Sequence, residues 1–98
     1  MNREQVIATL RAHETELKRA GIVRLSIFGS VARGDESAKS DVDLMAEFEP
    51  SRQLSIVDMV GLENRLADIL GVHVDLAPAK ALKGGIHERA TREAVFAF

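Results

Sequence analysis

The chain has 98 residues, a formal net charge of −2, and no cysteine, tryptophan or tyrosine. A domain of that length buries only about 60–65% of its unfolded surface, which allows one modest core and no large enclosed pocket. The near-neutral charge excludes a general footprint on DNA, the missing cysteines exclude disulfides, zinc–thiolate sites and a thiol nucleophile, and four phenylalanines as the only aromatics argue against a base-stacking RNA platform.

No stretch approaches the roughly 20 apolar residues of a membrane span. The start, Met1-Asn2-Arg3-Glu4-Gln5, leads into an amphipathic pattern and not into a signal peptide. With no repeat, linker or charge block, the expectation is one cytoplasmic domain over residues 1–98. Residues 3–20 are expected to form a helix: Asn2 can cap it, Val6, Ile7, Leu10, Leu17 and Ala20 recur at helical spacing, and Gly21 ends it. Residues 22–28 alternate with period 2 and predict a strand, with Val23, Leu25 and Ile27 on one face and Arg24, Ser26 and Phe28 on the other. Gly29-Ser30 breaks that pattern, Val31-Ala32-Arg33 forms a turn or helical stub ended by Gly34, and residues 35–40 are a polar loop.

Residues 41–48 predict a second strand ended by Pro50. Val42, Leu44, Ala46 and Phe48 share its apolar face; Asp41, Asp43, Met45 and Glu47 share the other. Residues 54–70 predict a long helix with a broad stripe of Ile56, Met59, Val60, Leu62, Leu66, Ile69 and Leu70, stopped by Gly71. Residues 72–76 predict a third strand with Val72, Val74 and Leu76 on one face, His73 and Asp75 on the other, and Pro78 closing it. The tail, 79–97, has a helical tendency interrupted by Gly84-Gly85. Each strand thus has an apolar face and a polar one, so the fold class expected is α/β (α+β): a small mixed sheet of three or four strands, helices on one face, the other open.

The open face concentrates aspartates. Asp41 and Asp43 are two apart on a strand and point the same way, their alpha carbons about 6.5 Å apart. Such a pair repels unless a cation lies between, and Mg²⁺ or Mn²⁺ suits the oxygen donors. Gly29-Ser30, at a strand end opening a helical turn, offers backbone N–H groups and a hydroxyl to an anion. Asp75 can complete a three-carboxylate metal site. Each signal alone has a bland reading, a surface strand or a small-residue turn. Together they describe a nucleoside triphosphate site, with aspartates for the metal, metal for the phosphates and the Gly-Ser turn for the far phosphate. His73 shares the face of Asp75 and reads as a solvated or hydrogen-bonded strand histidine.

Gly29-Ser30, ten intervening residues, then Asp41-Val42-Asp43 resembles the signature of the DNA polymerase beta-type nucleotidyltransferases. The fuller runs, Gly29-Ser30-Val31-Ala32-Arg33-Gly34 and Ser40-Asp41-Val42-Asp43-Leu44, with Val74-Asp75-Leu76 after them, resemble the minimal nucleotidyltransferases, the MNT-type antitoxins. The resemblance spans essentially the whole chain. It implies the polymerase beta-like fold, Mg²⁺ (or Mn²⁺) as cofactor, ATP as substrate and a HEPN-type toxin as partner in a homo- or hetero-oligomer. It implies transfer of AMP to a tyrosine of that toxin. In that scheme Asp41, Asp43 and Asp75 are the catalytic metal ligands, and Asp75 is also the base that helps deprotonate the acceptor. Gly29 and Ser30 hold the terminal phosphates. Arg33 reaches the triphosphate or the partner, or is a surface arginine ahead of Gly34. The chain has no tyrosine of its own, so such an acceptor must come from elsewhere. Phe28 and Met45, apolar on a polar face, hint at an interface or at cover by the chain's own tail. Two other readings remain: an antitoxin that works by occlusion, and a transferase acting on RNA ends or small molecules.

Overall fold

The structure is a computed structural model that describes residues 2–34, 41–81 and 94–98. The expected loop 35–40 and the middle of the expected tail helix lie outside the described residues. Two helices, α1 (Arg3–Ala12) and α2 (Glu14–Arg19), lead into β1 (Ile22–Phe28) and the short α3 (Gly29–Arg33). Then come β2 (Val42–Phe48), α4 (Ile56–Leu70), β3 (Val74–Pro78), a 3₁₀ turn (Ala79–Ala81) and β4 (Val95–Phe96). The sheet order is β3-β2-β1-β4, with β2 parallel to β3 and β1 antiparallel to both its neighbours. No helix among the described residues is long and apolar enough to cross a membrane.

The helices start where the chain supplies caps. Asn2 accepts the Gln5 N–H and the Gln5 side chain returns the bond; Ser55 and Asp58 do the same for α4. The expected single helix 3–20 is instead broken at His13 (φ −107°, ψ 13°). The apolar spacing does not report the break, because the seven residues from Leu10 to Leu17 are two turns and both side chains stay buried.

One core fills the space between helices and sheet: Val6, Leu10 and Leu17, then Leu25 and Ile27, then Val42, Leu44 and Ala46, with Leu62, Leu66, Leu70 and Val74. The stripe expected on α4 is wider than the face it buries. Met59 is half-buried and Leu62, Leu66 and Leu70 buried, whereas Ile56 and Val57 in the first turn are 83% and 80% exposed, with Val60 beside them also exposed.

Three further differences have physical causes. Ile22 pairs with Phe48 but Arg24 pairs with Glu47, so Val23 is the extra residue of a β-bulge. The bulge flips parity: Ile22 joins Leu25 in the core, and Val23, expected inside, faces solvent. The third strand runs two residues later than expected and takes in Pro78, which an edge strand tolerates because its missing N–H costs no ladder bond. The tail ends not in a helix but in β4, a pair too short to show a period, fixed by Ala97 N–H on the Leu25 carbonyl and by Arg11 Nε on the Ala97 carbonyl (2.6 Å). On the polar face, Arg24 lies between Glu47 (3.4 Å) and the Phe96 ring. Met45 and Ser26 on that face are buried within the chain itself, so Met45 offers no exposed interface.

Arg65 of α4 grips Glu16 of α2 with two hydrogen bonds, 2.6 and 2.9 Å. Arg65, first, and then His13 hold the Glu16 carboxyl down at about 2. A depressed carboxyl adds stability that is complete above its ordinary value of 4.5 and is lost as pH falls from there toward 2. Glu16→Gln should therefore lower the urea midpoint above pH 4.5 and flatten its fall toward pH 2, where the two proteins converge.

Candidate active site

The site forms where the N-terminal end of β2 meets the C-terminal end of β1. Asp43 is the register partner of Phe28 on one side and of Asp75 on the other. Partners directly across neighbouring strands project from the same face, so the carboxylates of Asp43 and Asp75 leave the sheet together. Asp41 precedes Asp43 by one pleat and projects from that face too. The Val42 N–H donates to the His73 carbonyl (3.1 Å), which brings residue 73 opposite residue 41. His73 Nδ1 then lies 3.2 Å from Asp41 Oδ2.

Donor atoms of Asp41, His73 and Asp75 all fall within 4.8 Å of one another, and all three side chains are exposed. Asp43 is half-buried. Its carboxyl is pushed above its usual range, first by burial and then by the negative charges of Asp75 and Asp41, with Arg33 pulling the other way. Three carboxylates against few cations form a surplus of negative charge. The donors are hard oxygens with one imidazole at the rim, a set that fits Mg²⁺ or Mn²⁺.

Gly29 is dictated twice over. Its φ of +74° is a conformation that L side chains rarely adopt, and a β-carbon there would collide with Asp43 Oδ2 and stand 3.3 Å from its Cγ. The chain turns at Gly29 straight into α3, so Ser30 stands half-buried in the first turn, where backbone N–H groups lack intrahelical acceptors. Gly34, at φ +79°, stops the helix after Arg33, and Arg3 from α1 donates to the Ala32 carbonyl (3.0 Å), fixing α3 against the body of the protein.

The structure thus gathers the donor atoms of Asp41, His73 and Asp75. Asp43, next to them in the register and coupled to Asp41 and Asp75 by charge, turns its carboxylate against Gly29 and lies outside that group; Ser30 and Arg33 stand on the short helix. His73 is the member that sequence reading ranked low. The partner it meets is a site carboxylate, Asp41, at ion-pair distance. The signal for it is the pairing of the second and third strands, which puts 73 opposite 41 and which the sequence alone does not state.

A mixed sheet carrying converging carboxylates beside a glycine turn defines an enzyme that handles nucleotide phosphates. The chain belongs to the nucleotidyltransferase domain family, whose pattern matches residues 10–97. It is 37% identical over 94 residues to the protein adenylyltransferase MntA of Thermococcus cleftensis, spanning 95% of this chain and 93% of that protein. A solved structure described as a minimal nucleotidyltransferase superposes with a TM-score of 0.81 at 37% identity, over 97% of this chain and 95% of that one. The fold extends to the solved Shewanella oneidensis complex of a tri-AMPylated HEPN toxin with an MNT antitoxin, at 15% identity and a TM-score of 0.61, over 90% of this chain and 71% of that one.

Two substitutions check the geometry. Gly29→Ala should cost about 1–2 kcal/mol of unfolding free energy for the positive φ alone, and more for the collision with Asp43, read by urea unfolding. Asp43→Asn should stabilise the protein in EDTA at pH 7. A raised folded-state value means the native state holds its proton more tightly than the unfolded one, so stability falls as pH rises through that range, and the amide escapes this. Calorimetry should show Tm higher by roughly 2–5 °C at pH 7, with no gain near pH 3.

Proposed function

We propose that this nucleotidyltransferase transfers AMP from ATP to a hydroxyl of a partner protein, a tyrosine of a HEPN-type toxin, and so acts as its antitoxin with Mg²⁺ as cofactor. The observation that carries the reading is the gathering of Asp41 and Asp75 donor atoms on the open face, with the Asp43 carboxylate coupled to them by charge and set against the Gly29 turn. Two findings extend it from nucleotide to protein: the 37% identity to a protein adenylyltransferase over nearly the whole chain, and the fold shared with an antitoxin bound to an AMP-carrying HEPN toxin. The absence of tyrosine from the chain puts such an acceptor on another molecule. ATP as donor fits a cytoplasmic protein.

Asp41, Asp43 and Asp75 would hold Mg²⁺ (Mn²⁺ is the alternative). When bound, that ion supplies positive charge to the triphosphate and relieves the repulsion among the three carboxylates. Gly29 gives the triphosphate close approach to the backbone, and the hydroxyl and N–H of Ser30 hold its terminal end. Arg33, whose charge acts on Asp43, adds a counter-charge on the same side. Asp75 is exposed on the open face, where an acceptor hydroxyl can reach it. It takes the hydroxyl proton as the oxygen attacks the α-phosphorus; the bond to the β-phosphate oxygen breaks and pyrophosphate leaves. The exposure of Asp41 and Asp75 leaves the far side of the site to the incoming partner, so the protein substrate itself excludes water.

The test is intact mass spectrometry of a HEPN toxin partner after incubation with ATP and Mg²⁺. The expected result is a gain of one or more AMP masses on the toxin, absent with Asp43→Asn, together with loss of its RNA cleavage. A complex that forms and silences the toxin with no mass gain would replace transfer by occlusion, and label on RNA would move the acceptor to a nucleic acid end.

A further inference from the structure

We infer that His73 is a ligand of the cation at this site, and that its imidazole gives the site a preference for Mn²⁺ over Mg²⁺. The inference rests on the reading of Asp41 and Asp75 as cation ligands. Three observations support it. The parallel pairing of β2 with β3 sets His73, just ahead of β3, opposite Asp41 and two residues before Asp75. Donor atoms of Asp41, His73 and Asp75 lie within 4.8 Å of one another, so one ion can touch all three, and each side chain is exposed and free to adjust around it.

The third observation is the separation of 3.2 Å between His73 Nδ1 and Asp41 Oδ2. Two donors each about 2.1 Å from one ion, at the right angle of an octahedron, stand about 3.0 Å apart. The observed separation is therefore close to the edge of a coordination sphere, and little movement brings the two atoms onto one ion. An imidazole in that sphere is not neutral toward metal identity. Mg²⁺ favours oxygen and gives up water reluctantly, whereas a nitrogen donor strengthens binding of first-row transition ions. Three carboxylates alone would serve either ion; the histidine tips the balance toward Mn²⁺.

The competing role for His73 is to orient Asp41 through their contact without touching the ion. His73→Gln separates the two, because the amide can still donate to Asp41 but carries no ring nitrogen. Mn²⁺ and Mg²⁺ affinities of the full chain are measured by calorimetric titration, and pulsed electron paramagnetic resonance of the Mn²⁺-loaded chain reads nitrogen coupling directly. The expected result is a ¹⁴N coupling of a bound imidazole in the wild type, absent in His73→Gln. The Mn²⁺ dissociation constant should rise about tenfold in the variant and that for Mg²⁺ by less than about twofold. Mn²⁺ bound without nitrogen coupling in the wild type, or equal weakening of both ions in the variant, overturns the ligand role and leaves the proposed transfer intact. A wild type that binds neither ion overturns both.

Discussion

Like charges do not gather on one face of a small sheet unless the fold forces them to. Asp43 and Asp75 face each other across the β2–β3 ladder, and Asp41 stands one pleat away. The force behind this placement is the strand register, and the register is set by burial on the opposite face. Val42, Leu44 and Val74 point into the core between the aspartates, so a slip of one residue would bury the carboxylates and expose the aliphatics. The hydrophobic effect thus supplies the energy that holds the repelling groups together, and the strained group, Asp43, shows it in a carboxyl pushed upward by burial and by its neighbours.

The supporting elements serve the same end. Gly29 gives the Asp43 carboxylate room that no side chain would leave, and Arg3 ties α3 to the N-terminal helix. Glu63 of α4 accepts the Leu76 N–H (2.9 Å), which closes a backbone donor on β3, an edge strand that would otherwise fray one residue from Asp75. The core-facing Leu62, Leu66 and Leu70 hold α4 against the sheet, while its first turn extends beyond it with Ile56 and Val57 exposed.

Much of this was legible in the sequence because the relevant patterns are local. Strand alternation over 22–28 and 41–48 gave both faces of the sheet, and the Asp-x-Asp pair and the Gly-Ser turn could be placed on the face opposite the aliphatics. Asn2 and the glycines marked the ends of helices. What was not legible depends on pairing. The bulge at Val23 is a count of residues on two strands at once, the break at His13 leaves the apolar spacing untouched, and β4 is defined by its bonds to β1 and not by any period. The burial of Met45 and the contact of His73 with Asp41 are of the same kind: both follow from what lies across the sheet. The width of the apolar stripe on α4 misled for another reason, since a helix can carry apolar residues past the edge of the core it covers.

The central claim is that the aspartate trio is a cation-dependent seat for a nucleoside triphosphate. The most direct measurement is calorimetric titration of the chain with a non-hydrolysable ATP analogue, with and without Mg²⁺ or Mn²⁺. The account predicts that either ion strengthens nucleotide binding by at least about tenfold, roughly 1.4 kcal/mol, and that Asp43→Asn abolishes this gain while remaining folded. Binding of equal strength in EDTA, or a gain that survives in Asp43→Asn, would contradict it.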